Sequence, residues 1–182
     1  MEEIIDVVDE NDSFVRKATR QEVVQKGLLH RDSRIIIQNS KGEFVVQKRS
    51  MDKDNYPGCY DIGVAETVKG GESYESAAIR GIMEELGIVG ISNISLMRSL
   101  LFKMRYKSDN LNEHCKVYYL IYGGKMQAQK EEIDELKLLK EDELIGFIKS
   151  QQFHPAGKMA FEKYLEKNEK MEISMKKVSI ED

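Results

Sequence analysis

The chain has 182 residues, of which 41% are hydrophobic and 33% are charged, and its formal net charge is -4. This length and composition are typical of one packed domain with short extensions, and they exclude wholesale disorder. The negative net charge argues against a protein that binds a nucleic-acid backbone or an anionic membrane, because both partners need a basic face.

Sequence features also bear on the compartment of the protein. No apolar run reaches the ~20 residues that span a bilayer. The acidic start, Met1-Glu2-Glu3, lacks the basic and apolar segments of a signal peptide. The two cysteines, Cys59 and Cys115, form no CxxC pair and no disulfide framework. We therefore expect a cytoplasmic protein with reduced thiols.

The N-terminal segment is predicted to form two strands and a short helix. Residues 4–8 and 14–17 have the composition of strands and flank a run of turn-forming residues. Thr19 and Glu22 have the spacing of a capping box, and Gly27 is suited to end the helix.

The next segment predicts a hairpin, a loop and a longer helix. Apolar runs at 35–37 and 44–46 flank a turn, and the polar residues 50–58 predict a loop. Residues 73–86 have helical spacing with an apolar stripe that should be buried. The predicted stripe consists of Ala78, Ile79, Ile82, Met83 and Leu86.

The second half of the chain predicts further strands at roughly 94–106 and 115–122, a helix near 141–150, and a last helix from Pro155 that frays from Lys167. Strands interleaved with few helices predict an α+β fold, built as an α/β/α sandwich with a mixed sheet. We expect three parts, namely N-terminal strands and a short helix that belong to or pack on the domain (1–27), the domain itself (28–168) and a charged tail (169–182).

The segment with the clearest chemistry is residues 66–88, ETVKGGESYESAAIRGIMEELGI. Glu84 and Glu85 share one helix face with Gly81, so the two glutamates should project together beside a lane lined only by Ala77 and Gly81. Adjacent carboxylates repel unless a cation lies between them, and Mg²⁺ or Mn²⁺ prefers such oxygen ligands. Alone, however, a Glu pair near a helix end is more simply a solvated pair.

The wider pattern of this segment resembles the Nudix box, Gly-x5-Glu-x7-Arg-Glu-U-x-Glu-Glu-x-Gly-U, where U is apolar. The matching positions are Glu72, Arg80, Ile82, Glu84, Glu85, Gly87 and Ile88. The resemblance implies the Nudix fold with its loop-helix-loop, Glu84 and Glu85 as metal ligands and catalytic residues, and Glu72, Arg80 and Gly87 as structural residues of the box. We expect Arg80 to pair with Glu72 or Glu84.

Two positions depart from the box. Glu66 stands where the motif has its first glycine, and Gly81 stands where it has a metal-binding glutamate. A glycine inside a helix costs roughly 1 kcal/mol relative to alanine, and the sequence offers no local reason for it. Either position 81 no longer needs a glutamate because hydrolysis is not required, or another acid takes over the role of this glutamate. Glu66 is a candidate on its chemistry, because its loop should pass near the site.

Residues outside the box, over roughly 28–165, resemble the branch of the family that contains isopentenyl diphosphate isomerase and its hydrolase-like relatives. The resemblance places Ala65 where the isomerase has its essential cysteine and Thr67 where it has a metal-binding histidine. Of the isomerase ligands only His30 and Glu113 have counterparts, and His30 is more simply a hydrogen-bonded structural histidine. Isomerisation then lacks an acid/base pair.

The resemblance also implies roles for three residues beyond the box. Glu132 matches a segment in which relatives carry a general base, although it could equally be part of a solvated acidic run. Arg49 and Lys53 are expected to bind the diphosphate.

The sequence therefore predicts a Mg²⁺- or Mn²⁺-dependent hydrolase of a nucleoside diphosphate derivative or other organic diphosphate. The alternatives are a Nudix fold that binds such ligands without turnover, which Gly81 favours, and an isomerase relic. We expect the protein to act on a small-molecule diphosphate and to have no nucleic-acid or membrane partner. It could form a homodimer.

Overall fold

The computed structural model describes residues 2–53, 55–92, 100–108 and 111–178, with side chains up to Glu169. Its strands are β1 (Ile4–Val8), β2 (Phe14–Thr19), β3 (His30–Gln38), β4 (Phe44–Arg49), β5 (Tyr60–Ile62), β6 (Val64–Thr67), β7 (Leu100–Lys107), β8 (Asn112–Ile121) and β9 (Ile133–Leu139). Its helices are α1 (Arg20–Lys26), α2 (Tyr74–Leu86), α3 (Glu141–Ser150) and α4 (Pro155–Val178). No described helix is long and apolar enough to cross a membrane.

The central sheet is mixed. Its strand order is β5-β4-β3-β8-β7, with β6 paired to β3 and β9 paired to β4. The β3–β8 pairing is parallel, whereas the other pairings are antiparallel. Since a strand's side chains alternate between faces, Ile35 and Ile37 pack on the α2 side while Ile36 packs on the α4 side. The sheet thus lies between two helical layers, and the predicted α/β/α sandwich is confirmed.

A cleft arises where the two central strands separate. β3 and β4 share the single register pair Gln38–Phe44 at their hairpin end. Beyond that point β3 pairs with β6 over residues 32–35, whereas β4 pairs with β5 and β9. The diverging strands therefore leave room between β6 and α2 on one side and β4 with its following loop on the other.

The N-terminal hairpin β1–β2 forms its own small sheet beside this cleft. It is tied to the loop before α2, because the backbone N–H of Gly70 donates to Ile4 O at 2.8 Å and that of Gly71 donates to Asp6 Oδ2 at 2.8 Å. Helix α1 follows with one half of the predicted capping box, in which Thr19 Oγ1 accepts from the Glu22 N–H at 3.1 Å. The Glu22 carboxylate instead contacts Arg16 and Lys26.

Helix α2 begins and ends where the sequence indicates. Ser73 caps its N-terminus, and Gly87 ends it in the left-handed conformation with φ 65°. One residue of the predicted stripe is wrong: Met83 is 48% exposed, because it lies a further 100° around the helix from the buried Ile82. Ala77 is buried instead.

Several other boundaries differ from the sequence prediction. The strand predicted at roughly 94–106 covers Leu100–Lys107 among the described residues, and its predicted start falls in residues 93–99, which lie outside the described part. Strands β5, β6 and β9 were not predicted, since they are short or rich in charge. Helix α4 continues to Val178 through the segment in which fraying is predicted from Lys167, and this segment is rich in good helix formers.

Candidate active site

The cleft contains a cavity of about 480 Å³, a size that suits a small-molecule ligand. Among the described residues, both basic and acidic side chains line it. The basic ones are Arg20, Arg34, Arg49, Lys53, Lys69 and Arg80, and the acidic ones are Glu3, Asp32, Glu66, Glu84, Glu85, Glu113 and Glu132. Such a mixed lining can offer cations to phosphate oxygens and carboxylates to a metal ion.

The two adjacent glutamates of α2 both line this cavity but differ in burial. The Glu84 side chain is 49% exposed, whereas Glu85 is 6% exposed. Glu85 Oε2 accepts a hydrogen bond of 2.9 Å from the amide of Gln47. Burial raises the pKa of Glu85 from its ordinary 4.5 to about 7, although Gln47 opposes the shift. Its ionised form therefore needs additional positive charge nearby.

Arg80 connects the helix to the loop and strand before it. Its guanidinium contacts Glu72 at 2.8 Å, Glu66 at 2.6 Å and Glu84 at 3.7 Å. It also donates to the carbonyl of Thr67 at 3.0 Å. Both pairings expected for Arg80 are thus present, and Glu66 is an additional and closer partner than Glu84.

The residues expected to bind diphosphate already have protein partners. Arg49 donates to the carbonyls of Tyr56 and Asn55, at 3.3 and 2.9 Å, and so holds the loop that follows β4. Lys53, on that loop, forms an ion pair with Glu132. All three charged side chains line the cavity, so the expected diphosphate contacts and the expected base lie together.

A second, more deeply buried cluster surrounds Arg34. Its guanidinium lies 3.3 Å from Asp61, 3.4 Å from Asp32 and 3.7 Å from Glu113. Asp32, Glu113 and Cys115 bring potential ligand atoms within 4.8 Å of one another. Arg34 supplies positive charge to this buried group of acids.

The histidines have structural contacts. His30 Nδ1 lies 2.9 Å from the carbonyl of Leu28, as expected of a structural histidine. His154 is buried, with its ring 4.7 Å from that of Tyr56. Burial lowers the pKa of His154 to about 4, so that it is neutral at physiological pH.

Comparison with known proteins identifies the family. A family model described as NUDIX domain matches residues 28–162. The chain belongs to the Nudix family. Its members are hydrolases that generally act on small-molecule nucleoside diphosphate derivatives and use divalent metal ions. A Nudix hydrolase of Streptomyces coelicolor, itself uncharacterized, is 34% identical over 161 residues, which cover 88% of this chain and 87% of the relative.

Solved structures support the Nudix fold. A crystal structure of the Deinococcus radiodurans protein DR0079 has a TM-score of 0.66 at 23% identity and covers 88% of this chain and 98% of that one. A MutT protein from Methanosarcina mazei has a TM-score of 0.63 at 19% identity, with 77% and 95% covered. The predictions of a Nudix-type, MutT-like fold and of the hydrolase family are confirmed.

The structure corrects the expectation about Gly81 of the Nudix helix. Gly81 faces β6, and a Cβ atom placed on it would lie 2.9 Å from Cβ of Glu66 and 3.0 Å from Cγ1 of Val64. The lane beside the glutamates is therefore filled by Val64 and Glu66, and is not lined only by Ala77 and Gly81. This close approach is the local reason for the helix-interior glycine.

Sequence reasoning missed several residues of the cavity. Asp32 and Arg34 were not singled out, because the predicted apolar run covers only 35–37. In the structure β3 begins at His30, and His30, Asp32 and Arg34 alternate along it and so share a face. That period-two pattern of polar residues was a usable signal. Gln47, the partner of Glu85, follows the predicted apolar run 44–46 and had no such signal.

Proposed function

We propose that this Nudix protein is a divalent-metal-dependent hydrolase that cleaves the diphosphate linkage of a nucleoside diphosphate derivative or other organic diphosphate. The observation that carries the proposal is the position of Glu84 and Glu85, which end α2 at a cavity that also contains Arg49 and Lys53. Carboxylates for a cation and cations for a phosphate thus occupy one small-molecule-sized space.

The donor set fits Mg²⁺ or Mn²⁺. Hard divalent cations prefer carboxylate oxygens, and the buried Glu85 faces further negative charge from Glu66, which itself raises the pKa of Glu85. We assign Glu84 and Glu85 as the residues that hold the ion. When bound, such an ion neutralises phosphate charge and lowers the pKa of a water molecule.

The basic side chains would position the diphosphate. A guanidinium has five N–H donors, and Arg49 uses two of its nitrogens to hold the 50–58 loop. Its other donors can contact a phosphate. Lys53 is partly buried, and burial lowers its pKa. An incoming phosphate would give the Lys53 ammonium a charged partner within the cavity.

Glu132 is the general base in this proposal. In the structure it pairs with Lys53. A diphosphate that takes Lys53 as its partner releases the Glu132 carboxylate, which can then accept a proton from the attacking water. Substrate binding and activation of the base would in this way be linked through one lysine.

We also propose that residues 1–27 belong to the same functional unit. Glu3, Ile5, Arg20 and Val23 line the cavity together with the box residues. The charged tail and the possible homodimer stay predictions.

Isomerisation is the less favourable alternative within the family. Ala65 and Thr67 line the cavity at the positions where the isomerase resemblance requires a thiol and a histidine. Among the described residues that line the cavity there is no cysteine. Proton transfer to and from an allylic carbon would thus lack the expected group.

A screen of organic diphosphates with Mg²⁺ and Mn²⁺, scored for both thermal shift and product, tests the hydrolase proposal. We expect metal-dependent product formation that is lost in Glu84→Gln and Glu85→Gln and reduced in Glu132→Gln. Glu131→Gln is the matched control, because Glu131 adjoins Glu132 in the chain but does not line this cavity. Thermal shift without product would favour the ligand-binding alternative and contradict hydrolysis.

A further inference from the structure

The two departures from the Nudix box face each other across the contact between α2 and β6. Gly81 lies in the middle of α2 and Glu66 lies on β6. A Cβ on Gly81 would lie 2.9 Å from Cβ and 3.3 Å from Cγ of Glu66. The nearer contact is shorter than real Cβ atoms tolerate, and it involves the root of the Glu66 side chain rather than its flexible end. Glu66 and a side chain at position 81 therefore exclude each other.

The carboxylate of Glu66 reaches the end of the cavity that the box glutamates line. It accepts a hydrogen bond of 2.6 Å from Arg80 Nη1, and the same nitrogen lies 3.7 Å from Glu84 Oε2. One guanidinium nitrogen thus links the strand carboxylate to the helix carboxylate. Glu66, Glu84 and Glu85 all line the cavity, and the Glu66 side chain is 15% exposed.

The charges in this region leave Glu66 under-compensated. Burial raises the pKa of Glu66 although Arg80 opposes it, and Glu84 raises it further. Arg80 must also neutralise Glu72, with which it makes two hydrogen bonds. Arg80 therefore contacts three carboxylates, and Lys53 adds a weaker favourable charge to Glu66. The buried Glu85 adds a fourth negative charge when it ionises, and Lys53 and Arg49 oppose the rise of its pKa. A divalent cation at this end of the cavity would add positive charge to these carboxylates.

We propose that Glu66 supplies, from strand β6, the third carboxylate of the cation site, which the Nudix box places on the helix at position 81. The two departures from the box then belong together. The glutamate missing at position 81 is replaced by Glu66, and the glycine missing at position 66 is replaced by Gly81, on the two sides of one contact. This inference rests on the proposed function, because it assigns a further residue to the same metal site.

A purely structural role for Glu66 makes a different prediction. If Glu66 only holds Arg80, Glu66→Gln should leave cation binding unchanged, because the amide oxygen can still accept the hydrogen bond from Arg80. If Glu66 is a ligand of the cation, the same variant removes a charged oxygen donor and weakens binding. Arg80 and the backbone stay in place in both cases.

Titration of the full chain with Mn²⁺, followed by the electron paramagnetic resonance signal of free Mn²⁺, separates these roles. We expect Glu66→Gln to bind Mn²⁺ about 10- to 100-fold more weakly than the natural chain. The matched control is Glu3→Gln, which removes a negative charge from the same cavity where Glu3 pairs with Arg20 and Lys69. This control should bind Mn²⁺ as the natural chain does.

The exchange itself is tested by restoring the motif. Glu66→Gly should lose Mn²⁺ affinity, and Gly81→Glu alone should be poorly folded because the new side chain collides with Glu66. The double variant Glu66→Gly/Gly81→Glu should regain affinity relative to Glu66→Gly. A folded double variant that binds no better overturns the inference, and Glu66→Gln decides the matter by itself if the double variant does not fold.

The outcomes also distinguish this inference from the proposed function. If the natural chain binds Mn²⁺ and hydrolyses a diphosphate while Glu66→Gln binds Mn²⁺ equally well, the inference is wrong and the proposed function stands. If the natural chain neither binds Mn²⁺ nor yields product, the proposed function fails and the inference fails with it.

Discussion

The cavity has two arginine-centred clusters that differ in burial and in the quality of their contacts. The Arg80 side chain is 15% exposed and makes short contacts of 2.6 Å to Glu66 and 2.8 Å to Glu72. The Arg34 side chain is 4% exposed, and its closest carboxylate oxygen is 3.3 Å away. Among the described residues, Nε of Arg34 and Oδ1 of Asp32 have no hydrogen-bond partner.

The difference indicates separate roles for the two clusters. Arg80 makes well-directed bonds near solvent, so it serves as a clamp that fixes the loop before α2 at modest energetic cost. Arg34 is surrounded by buried acids, and burial followed by the charge of Glu113 raises the pKa of Asp32 well above its ordinary range. The Arg34 cluster thus holds its acids in the protein interior around one arginine, whereas the Glu84 side chain of the box is 49% exposed and lines the cavity.

The largest expected effect comes from breaking the deeper cluster. Arg34→Leu leaves Asp61 and Glu113 buried without their cation, and it should lower the free energy of unfolding by about 3–5 kcal/mol. Urea denaturation at neutral pH measures this loss. Arg80→Leu is the comparison variant and should lose only about 1–3 kcal/mol, because Glu66, Glu72 and Glu84 are more exposed than Asp61 and Glu113. Equal losses in the two variants would contradict the difference in role.

A second effect concerns pH and the buried Glu85. Its pKa is about 7 in the folded chain and 4.5 ordinarily. Between these two pH values the folded chain therefore holds a proton that the unfolded chain has released. In metal-free buffer its contribution to stability is therefore complete below pH 4.5 and is lost as the pH rises to about 7. The loss should be on the order of 3 kcal/mol.

The measurement for Glu85 is urea unfolding at several pH values across this window, in the natural chain and in Glu85→Gln. The variant cannot ionise at position 85, so the difference between the two curves isolates this group. The prediction is wrong if the two proteins show parallel pH dependence. Added Mg²⁺ should stabilise the natural chain more at high pH, where Glu85 is ionised.

The smallest effect concerns the contact between the Arg80 cluster and the helix. Gly81→Ala in an ordinary helix interior would stabilise by roughly 1 kcal/mol. Here the new methyl group would lie 2.9 Å from Glu66 Cβ, and overpacking of this kind costs typically 1–3 kcal/mol. We expect a net loss of about 1 kcal/mol in the free energy of unfolding, measured by thermal or urea unfolding.

In a Glu66→Gly background the same substitution should cost less, although Val64 still lies 3.0 Å from the new atom. An equal cost in both backgrounds would rule out Glu66 as the cause.

Several features were predictable because they depend on local chemistry. The cap at Thr19, the helix between Ser73 and Gly87, and the adjacency of Glu84 and Glu85 all follow from spacing along the chain. The unequal burial of the two glutamates was not predictable, since it depends on how α2 sits against β4 and its Gln47. Met83 was misplaced for the same reason.

By itself, the sequence determined the Nudix helix and loop, the pair of adjacent carboxylates and the layered α+β class, because hydrophobic period, caps and motif spacing act over a few residues. Only the tertiary structure decided that Glu66 fills the space beside Gly81 and that Lys53 meets Glu132. Only the fold, likewise, gathered three acids around Arg34. Apart from Asp32 and Arg34, which are neighbours on one face of β3, these contacts join residues distant in the chain. They depend on strands β3 and β4 separating to open the cleft.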